Sequence, residues 1–198
     1  MRKISATTIL VLFIAGIATA QEPKKRDKAA EQKAAMEAMM RAAAVGAEHK
    51  ALDVMVGTWD TKVKYFPEMG APAMESSGTA VNEWVLGGRW LQQKFEGSMM
   101  GAPFSGIGYT GYDNIRKMYV GTWMDSMSTQ VMSSTGSGSS GNTYSFTATM
   151  MDPVSGEPTS AEEKVRVIDK DHHVFEMWGP DMDGHNYKMM EITYTRKK

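Results

Sequence analysis

Apolar and polar residues alternate in short runs over most of the chain after residue 57. The runs are rich in Thr, Val, Tyr, Phe and Trp, and clusters of Gly, Pro, Asn, Asp and Ser separate them. Alternation with a period of two indicates strands, because successive strand side chains point to opposite faces of a sheet. The pattern predicts ten strands, at residues 58–66, 77–86, 89–96, 103–111, 115–124, 128–134, 142–151, 162–169, 173–179 and 186–196.

The connections between these predicted strands leave no room for crossover helices. Parallel neighbours need a connection of about a dozen or more residues, so the strands must pair antiparallel with their sequence neighbours. Turn residues such as Asp113-Asn114 and Asp183-Gly184 suit tight hairpins. Such a sheet removes its two edges by closing on itself. We therefore expect an all-β fold, a ten-stranded antiparallel up-and-down barrel over residues 47–198, with a two-sheet sandwich as the alternative.

Two glycine- or aspartate-rich motifs lie in predicted turns. Gly136-x-Gly138-x-x-Gly141 matches a dinucleotide-binding pattern, but a strand follows it instead of the helix that would receive the pyrophosphate. We interpret it as a flexible hairpin tip. Asp181-x-Asp183-Gly184 lacks the glycine position of a calcium loop and is interpreted as an Asp-Gly turn.

Helix-favouring residues precede the strands. Residues 24–45 are rich in Ala, Lys, Glu and Met and contain no Gly or Pro, which predicts a helical extension over residues 21–46. A second short helix is predicted over residues 48–55, ending before Gly57. We expect the apolar stripe of the first helix to pack on the domain or to fray, with partner docking through residues 24–45 as the alternative. At helical spacing this stripe contains Met36, Met39, Met40 and Ala43.

The first twenty residues have the features of a secretory signal peptide. Two basic residues precede an apolar run from Ile9 to Ile17, and Ala18-Thr19-Ala20 matches an A-x-A cleavage site. The run is shorter than the ~20 apolar residues of a membrane-spanning helix. We therefore expect residues 1–20 to be removed after Ala20 and the mature chain to have no membrane span.

Composition indicates a location and removes one class of partner. The chain has 22 Lys and Arg against 23 Asp and Glu, so it lacks the basic excess typical of nucleic-acid binding. It also has no Cys, and an exported domain without disulfides indicates a bacterial periplasm or secretion from a bacterium.

The start and end of the strand region resemble lipocalin-like (calycin) barrels. Gly57-Thr58-Trp59 opens the first strand as the glycine-x-tryptophan motif does in those barrels, and Arg196 lies on the last strand where they carry an Arg over this Trp. A guanidinium stacked on an indole face is a favourable cation–π contact. The resemblance implies that Gly57, Trp59 and Arg196 form the structural closure of the barrel.

A wider set of motifs resembles one exported bacterial family, the domain of unknown function 1579. The resemblance covers residues 47–198 and implies a lipocalin-like barrel with no established activity, so no functional residue is carried over from it. The motifs are His49-Lys50-x-Leu52 before Gly57-Thr58-Trp59, Gly111-Tyr112-Asp113, Trp123-x-Asp125-Ser126 and the closing segment 188–196.

Aromatic residues are abundant enough to line a barrel. On the first strand the alternation defines the inward set as Trp59, Thr61, Val63 and Tyr65. On later strands we expect the inward aromatic residues to be Trp90, Tyr119, Trp123, Phe146 and Trp178. Because a barrel of about eight to ten strands can enclose one small ligand, the sequence predicts an exported, non-catalytic carrier or sensor of a small apolar molecule. No cofactor and no resident metal are expected.

Haem or copper binding is one alternative. The nitrobindins, a related ten-stranded haem barrel family, also begin with a glycine-x-tryptophan strand, although Asp60 stands here where they have Gly. By this analogy a late histidine, His172, His173 or His185, would ligate haem. Among the 19 methionines, Met36-x-x-Met39 and Met124-x-x-Met127 resemble thioether ligands for Cu(I), although Met is also a deformable core residue.

Two further alternatives use other parts of the barrel. Asp125 and Glu176 are strand carboxylates that would act as acid and base if both pointed into the cavity. In the last alternative the barrel is filled and acts through its surface or its N-terminal helix.

Overall fold

The computed structural model describes residues 27–181 and 183–198. Helix α1 spans Lys28–Ala43, α2 spans Ala47–Lys50, and a 3₁₀ helix follows at Ala51–Met55. The expected signal peptide, residues 1–20, lies outside the described residues. None of the helices in the described ranges is both long and apolar enough to cross a membrane.

Ten strands follow the helices along the described chain. They are β1 (Gly57–Tyr65), β2 (Met74–Val85), β3 (Trp90–Met99), β4 (Ala102–Asp113), β5 (Met118–Asp125), β6 (Met132–Ser140), β7 (Thr143–Met151), β8 (Pro158–Asp169), β9 (His172–Pro180) and β10 (Asn186–Arg196).

The strands form one closed antiparallel barrel. Each pairs with its neighbours in sequence, and β10 returns to pair with β1, placing Trp59 opposite Arg196. The predicted ten-stranded up-and-down architecture is therefore confirmed. The two-sheet sandwich does not form, because the β1–β10 ladder joins the two edges that a sandwich would leave open.

The glycine-rich segment of β6 differs from its prediction. The strand was expected at 128–134, with Gly136 to Gly141 as a hairpin tip, but Gly136 pairs with Tyr119 and lies within the strand. A Cβ on Gly136 would lie 2.9 Å from Cδ1 of Phe146, so the missing side chain makes room for that ring. The predicted strand was too short because Gly and Ser hide the strand periodicity, and of the three motif glycines Gly141 alone lies in the turn between β6 and β7.

Helix α1 begins at Lys28 within the described residues and exposes its methionines. The Asp27 carboxylate accepts hydrogen bonds from the backbone NH groups of Ala29 and Ala30, at 3.1 and 3.3 Å, which caps the first turn. Met39 and Met40 of its apolar stripe are each 68% exposed. No residue of this helix is buried.

One end of the barrel is closed by α2 and the 3₁₀ helix, residues 47–55, here called the plug. Leu52 is 1% exposed and packs with Leu91, Tyr119 and Tyr144 of the barrel wall. The Tyr119 hydroxyl donates to the Glu48 carbonyl at 3.0 Å, and the Tyr144 hydroxyl donates to the Ala51 carbonyl at 2.8 Å. Carbonyls of the two short helices are thus bonded to the barrel wall.

Arg196 joins the last strand to the plug. Its guanidinium carbon lies 4.1 Å from the ring centroid of Trp59, which is fully buried. The same guanidinium donates to the carbonyls of Val54 and Val56, at 3.0 and 2.6 Å. Gly57 has a φ of +127° and a Cβ there would clash with Nη1 of Arg196, so the position requires glycine.

Candidate functional site

A cavity of about 490 Å³ occupies the barrel interior beyond the plug. All ten strands contribute to its lining, and β9 shows the period-two pattern clearly, because His173, Phe175 and Met177 line it while the alternate residues do not. The volume lies within the range of about 300–1,000 Å³ that is usual for small-ligand sites. The site is therefore large enough for a small molecule.

Methionines surround the end of the cavity away from the plug. This group, here called the methionine mouth, lies at or near the strand ends that face away from the plug. Two of its members, Met100 and Met127, are each 55% exposed although they line the cavity, so the cavity reaches the surface here. Unbranched thioether side chains adapt their shape easily. The methionine mouth consists of Met99, Met100, Met127, Met132 and Met150.

One buried carboxyl group lies midway along the cavity wall. Glu163 on β8 is 7% exposed, and its partners on the neighbouring strands are the apolar Phe146 and Met177. Burial raises the pKa of the Glu163 carboxyl, and a hydrogen bond donated by the Ser134 hydroxyl offsets part of that rise. An isolated buried carboxyl therefore faces the cavity.

His173 also borders the cavity, at the plug end. It is 4% exposed, its ring stacks on Tyr194 at a centroid distance of 4.2 Å, and the Trp59 ring meets it edge-on at 4.4 Å. Burial first, and the Arg196 charge second, lower the pKa of His173 to about 4. The imidazole is therefore neutral near pH 7.

The first strand turns its predicted set inward. Trp59, Thr61 and Val63 are buried and Tyr65 is partly buried. Val63 and Tyr65 line the cavity, whereas Trp59 lies under Arg196 at the plug. The alternating lysines and aspartate of this strand are exposed, as amphipathic strands require.

Three of the five later aromatic residues also turn inward. Trp123 lines the cavity, and a Cβ on Gly108 would lie 2.9 Å from its ring, so this glycine makes room for the indole. Phe146 lines the cavity beside Gly136. Tyr119 points inward too, but it packs against the plug instead of lining the cavity.

Trp90 and Trp178 lie on the outer face, so the prediction that they point inward is wrong. The Trp90 ring covers Gly111 of β4 on the outside, while its neighbour Leu91 lines the cavity. Trp178 donates from Nε1 to the Glu176 carboxylate at 3.4 Å, and Lys188 Nζ lies 5.6 Å from its ring centroid. Both indoles pack against neighbouring residues on the outer face. The large size of a side chain therefore did not decide whether it points into the barrel.

The two carboxylates proposed as a catalytic pair lie on different sides of the wall. Asp125 lines the cavity, and its oxygens accept hydrogen bonds from Trp123 Nε1 at 3.0 Å and the Met127 NH at 2.9 Å. Glu176 is on the outer face, where the Lys188 ammonium donates to it at 2.8 Å and lowers the pKa of its carboxyl. The hypothesis of an acid–base pair made of these two residues is therefore wrong.

The histidines, the Asp-Gly turn and the methionine pairs considered in the sequence analysis also divide between residues that line the cavity and residues outside it. His172 pairs with Asp169 at 2.9 Å outside the cavity. Asp181 accepts hydrogen bonds from the backbone NH groups of Asp183 and His185, at 2.9 and 2.8 Å, which is the hydrogen bonding of a tight turn. Of the histidines in the described ranges, His173 alone lines the cavity, and any haem hypothesis depends on it. Of the two methionine pairs, Met127 alone lines the cavity.

Glu163 is the site residue that sequence reasoning missed. It lies between Glu162 and Lys164, so the local sequence looks like a solvated charged run. The signal was the strand phase, since Ala161, Glu163 and Val165 share the inward face of β8. A charged residue in phase with two apolar inward residues marks a buried polar group.

Solved structures with a similar fold exist. The chain is similar to Rv2717c from M. tuberculosis, with 14% identity, a TM-score of 0.60 and coverage of 78% of this chain and 100% of that one. It is also similar to the S-type phycobiliprotein lyase CPES from Guillardia theta, with 14% identity, a TM-score of 0.48 and coverage of 75% and 92%. A de novo designed fluorescence-activating β-barrel matches with 14% identity, a TM-score of 0.42 and coverage of 74% and 97%. The first similarity supports the fold alone.

The comparison with known sequences identifies a family. No curated protein matches the chain. The family described as "Protein of unknown function (DUF1579)" matches residues 44–196, which includes the plug and all ten strands. This confirms the resemblance found in the sequence motifs, and the chain belongs to the DUF1579 family.

Proposed function

We propose that this barrel is a non-catalytic carrier or sensor that holds one small apolar molecule in its cavity. The observation that carries the proposal is the cavity of about 490 Å³ itself, whose lining is formed largely by aliphatic, aromatic and Met side chains, with polar residues among them. Apolar contact area supplies most of the affinity in such sites, and a few polar groups orient the ligand.

The two ends of the cavity support a carrier with one entrance. The plug is bonded to the barrel wall through Tyr119, Tyr144 and Arg196. The methionine mouth is partly exposed, and its side chains move aside without breaking hydrogen bonds. We infer that the ligand enters and leaves through the methionine mouth.

A fluorescent fatty-alcohol or retinoid analogue, added to delipidated protein, tests this function. Met150→Trp enlarges a side chain that lines the cavity, whereas Met151→Trp enlarges its neighbour, which is 44% exposed. We expect micromolar binding to the wild type, at least a tenfold loss in M150W because the added ring takes up ligand volume, and little change in M151W. If none of several apolar analogues binds the wild type, the carrier function is excluded.

We also propose that the protein is periplasmic or secreted from a bacterium. The support is the signal-peptide pattern in residues 1–20 and the absence of Cys from the sequence. Intact-mass measurement of the expressed chain should give a product that begins at Gln21. A product that retains residues 1–20 in a secreting host contradicts the proposal.

A further inference from the structure

We propose that the ligand carries a basic nitrogen, and that its ammonium group binds at the Glu163 carboxylate, midway along β8 in the cavity wall, while its apolar part extends towards the methionine mouth. This inference rests on the carrier function proposed above. It adds the chemical class of the ligand, an amphipathic amine. It also adds the orientation of that ligand within the barrel.

The first argument is the isolation of Glu163. Its side chain is buried and faces the cavity, and its cross-strand neighbours Phe146 and Met177 carry no charge. The neighbouring cations of β8 belong to the outer face; Lys164, for example, pairs with Glu162 at 3.0 Å. A buried carboxylate is unfavourable unless a cation or several donors compensate it. Within the described wall, the Ser134 hydroxyl is the single group that donates a hydrogen bond to the Glu163 carboxylate. A ligand ammonium would supply the compensating positive charge that this wall lacks.

The second argument is the charge of the whole lining. Among the described residues that line the cavity there are two carboxyl groups, on Asp125 and Glu163, and no Lys or Arg. His173 lines the same cavity as a neutral imidazole. Because opposite charges attract more strongly in a low-dielectric site, this lining favours cations and disfavours carboxylate ligands such as fatty acids.

Arg196 does not reverse this preference. Its guanidinium lies over Trp59, at the plug, and is not part of the described cavity lining. Its protons are directed to the carbonyls of Val54, Val56 and Lys170, and Asp171 lies 3.4 Å from its Nε. This cation is therefore already compensated by its own partners.

A third argument comes from an unsatisfied acceptor elsewhere in the cavity wall. Asn82 lines the cavity and donates from Nδ2 to the Met55 carbonyl at 2.8 Å, while its Oδ1 is buried with no partner in the described structure. With Glu163, the cavity wall thus presents acceptors on two of its strands, β2 and β8. An ammonium carries three donors and no acceptor, which complements such a wall.

Three probes of equal chain length test the proposal by calorimetric titration of the protein. They are dodecylamine, which is cationic at pH 7, dodecanol, which is neutral, and dodecanoate, which is anionic. We expect dodecylamine to bind at least about tenfold more tightly than dodecanol, because a charge-assisted hydrogen bond to Glu163 adds binding free energy. Dodecanoate should bind weakest.

Two glutamine variants identify the residue that recognises the ammonium. Glu163→Gln keeps the shape of the buried side chain and removes its charge, whereas Glu162→Gln makes the same change at the exposed neighbour on the outer face. We expect E163Q to bind the amine and the alcohol within about threefold of each other, and E162Q to keep the wild-type preference.

The outcomes separate this inference from the carrier function. If the alcohol or the carboxylate binds the wild type as tightly as the amine, the amine inference is overturned and the carrier function stands. If E163Q keeps the full preference, the assignment to Glu163 is overturned. If no probe binds the wild type, both proposals fail. Should E163Q not fold, the ranking of the three probes on the wild type still decides the ligand class.

Discussion

The plug end and the mouth end of this barrel are built from different kinds of contact. At the plug, hydrogen bonds and stacked rings fix each group, as where Tyr144 bonds the Ala51 carbonyl and Arg196 covers Trp59. At the mouth, the cavity is bordered by Met100 and Met127, whose side chains are more than half exposed. Directional contacts hold one arrangement, whereas thioether contacts tolerate many. The plug should therefore carry stability and the mouth ligand exchange.

The largest expected effect is at the plug end. Trp59→Ala removes the fully buried ring that contacts Arg196 and His173, and should lower the free energy of unfolding by about 3–5 kcal/mol. Urea unfolding followed by circular dichroism measures it. Trp178→Ala is the control on the outer face, where we expect a loss of about 1 kcal/mol or less. Equal losses in the two variants would mean that the plug is not the stabilising end.

The next effect is a pH dependence that originates at the plug end. The folded pKa of His173, about 4, lies below its unfolded value of 6.5, so the unfolded chain binds the extra proton first as the pH falls. The contribution of the neutral His173 to the free energy of unfolding is complete above pH 6.5. About 3 kcal/mol of it is lost as the pH falls to about 4. Unfolding free energies of the wild type and His173→Gln, measured between pH 4 and 7, should converge as the pH falls.

The exposed neighbour supplies the control for this pH dependence. His172→Gln changes a side chain that is 48% exposed and paired with Asp169, so its profile should run close to that of the wild type. Glu163 is present in all three proteins. Its raised pKa acts in the opposite direction, because stability falls as the pH rises past its unfolded value. Parallel profiles for the wild type and H173Q would contradict the prediction.

The smallest effect on stability is expected at the mouth. Met127→Ala should change the free energy of unfolding by no more than about 0.5 kcal/mol, because the side chain is 55% exposed. Met55→Ala, in the plug, is the matched change and should cost about 1–2 kcal/mol, because Met55 is half-buried against the core and also lines the cavity. A larger loss for M127A than for M55A would reverse the comparison between the two ends.

Strand number and closure were predictable from local features. Turn residues and period-two runs define ten strands without reference to tertiary contacts. On β1 the phase was also clear, because Lys and Asp alternate with Trp, Thr, Val and Tyr. Where a strand has apolar residues on both faces, as at Trp90-Leu91 and Met177-Trp178, alternation of polarity no longer identifies the inner face.

The candidate site was less predictable than the fold. Glu163 lies in a charged run, and its burial depends on strand phase and on Phe146 and Met177 from the neighbouring strands. Trp123 faces inward because glycines of β4, including Gly108, leave space for its ring. Such contacts join residues distant in sequence, so no local pattern records them.

By itself, the sequence determined the repeated strand–turn pattern, the closing residues Gly57, Trp59 and Arg196, and the family. The strand–turn pattern could be predicted because it depends on backbone conformation and short-range alternation, whereas the closing residues and the family followed from the resemblance to known barrels. The tertiary structure alone decided which faces of β3 and β9 point inward, that the interior keeps a cavity of about 490 Å³, and that a buried acid lies in its wall. Those properties depend on how side chains from ten strands fill one volume, which is set only when the barrel closes.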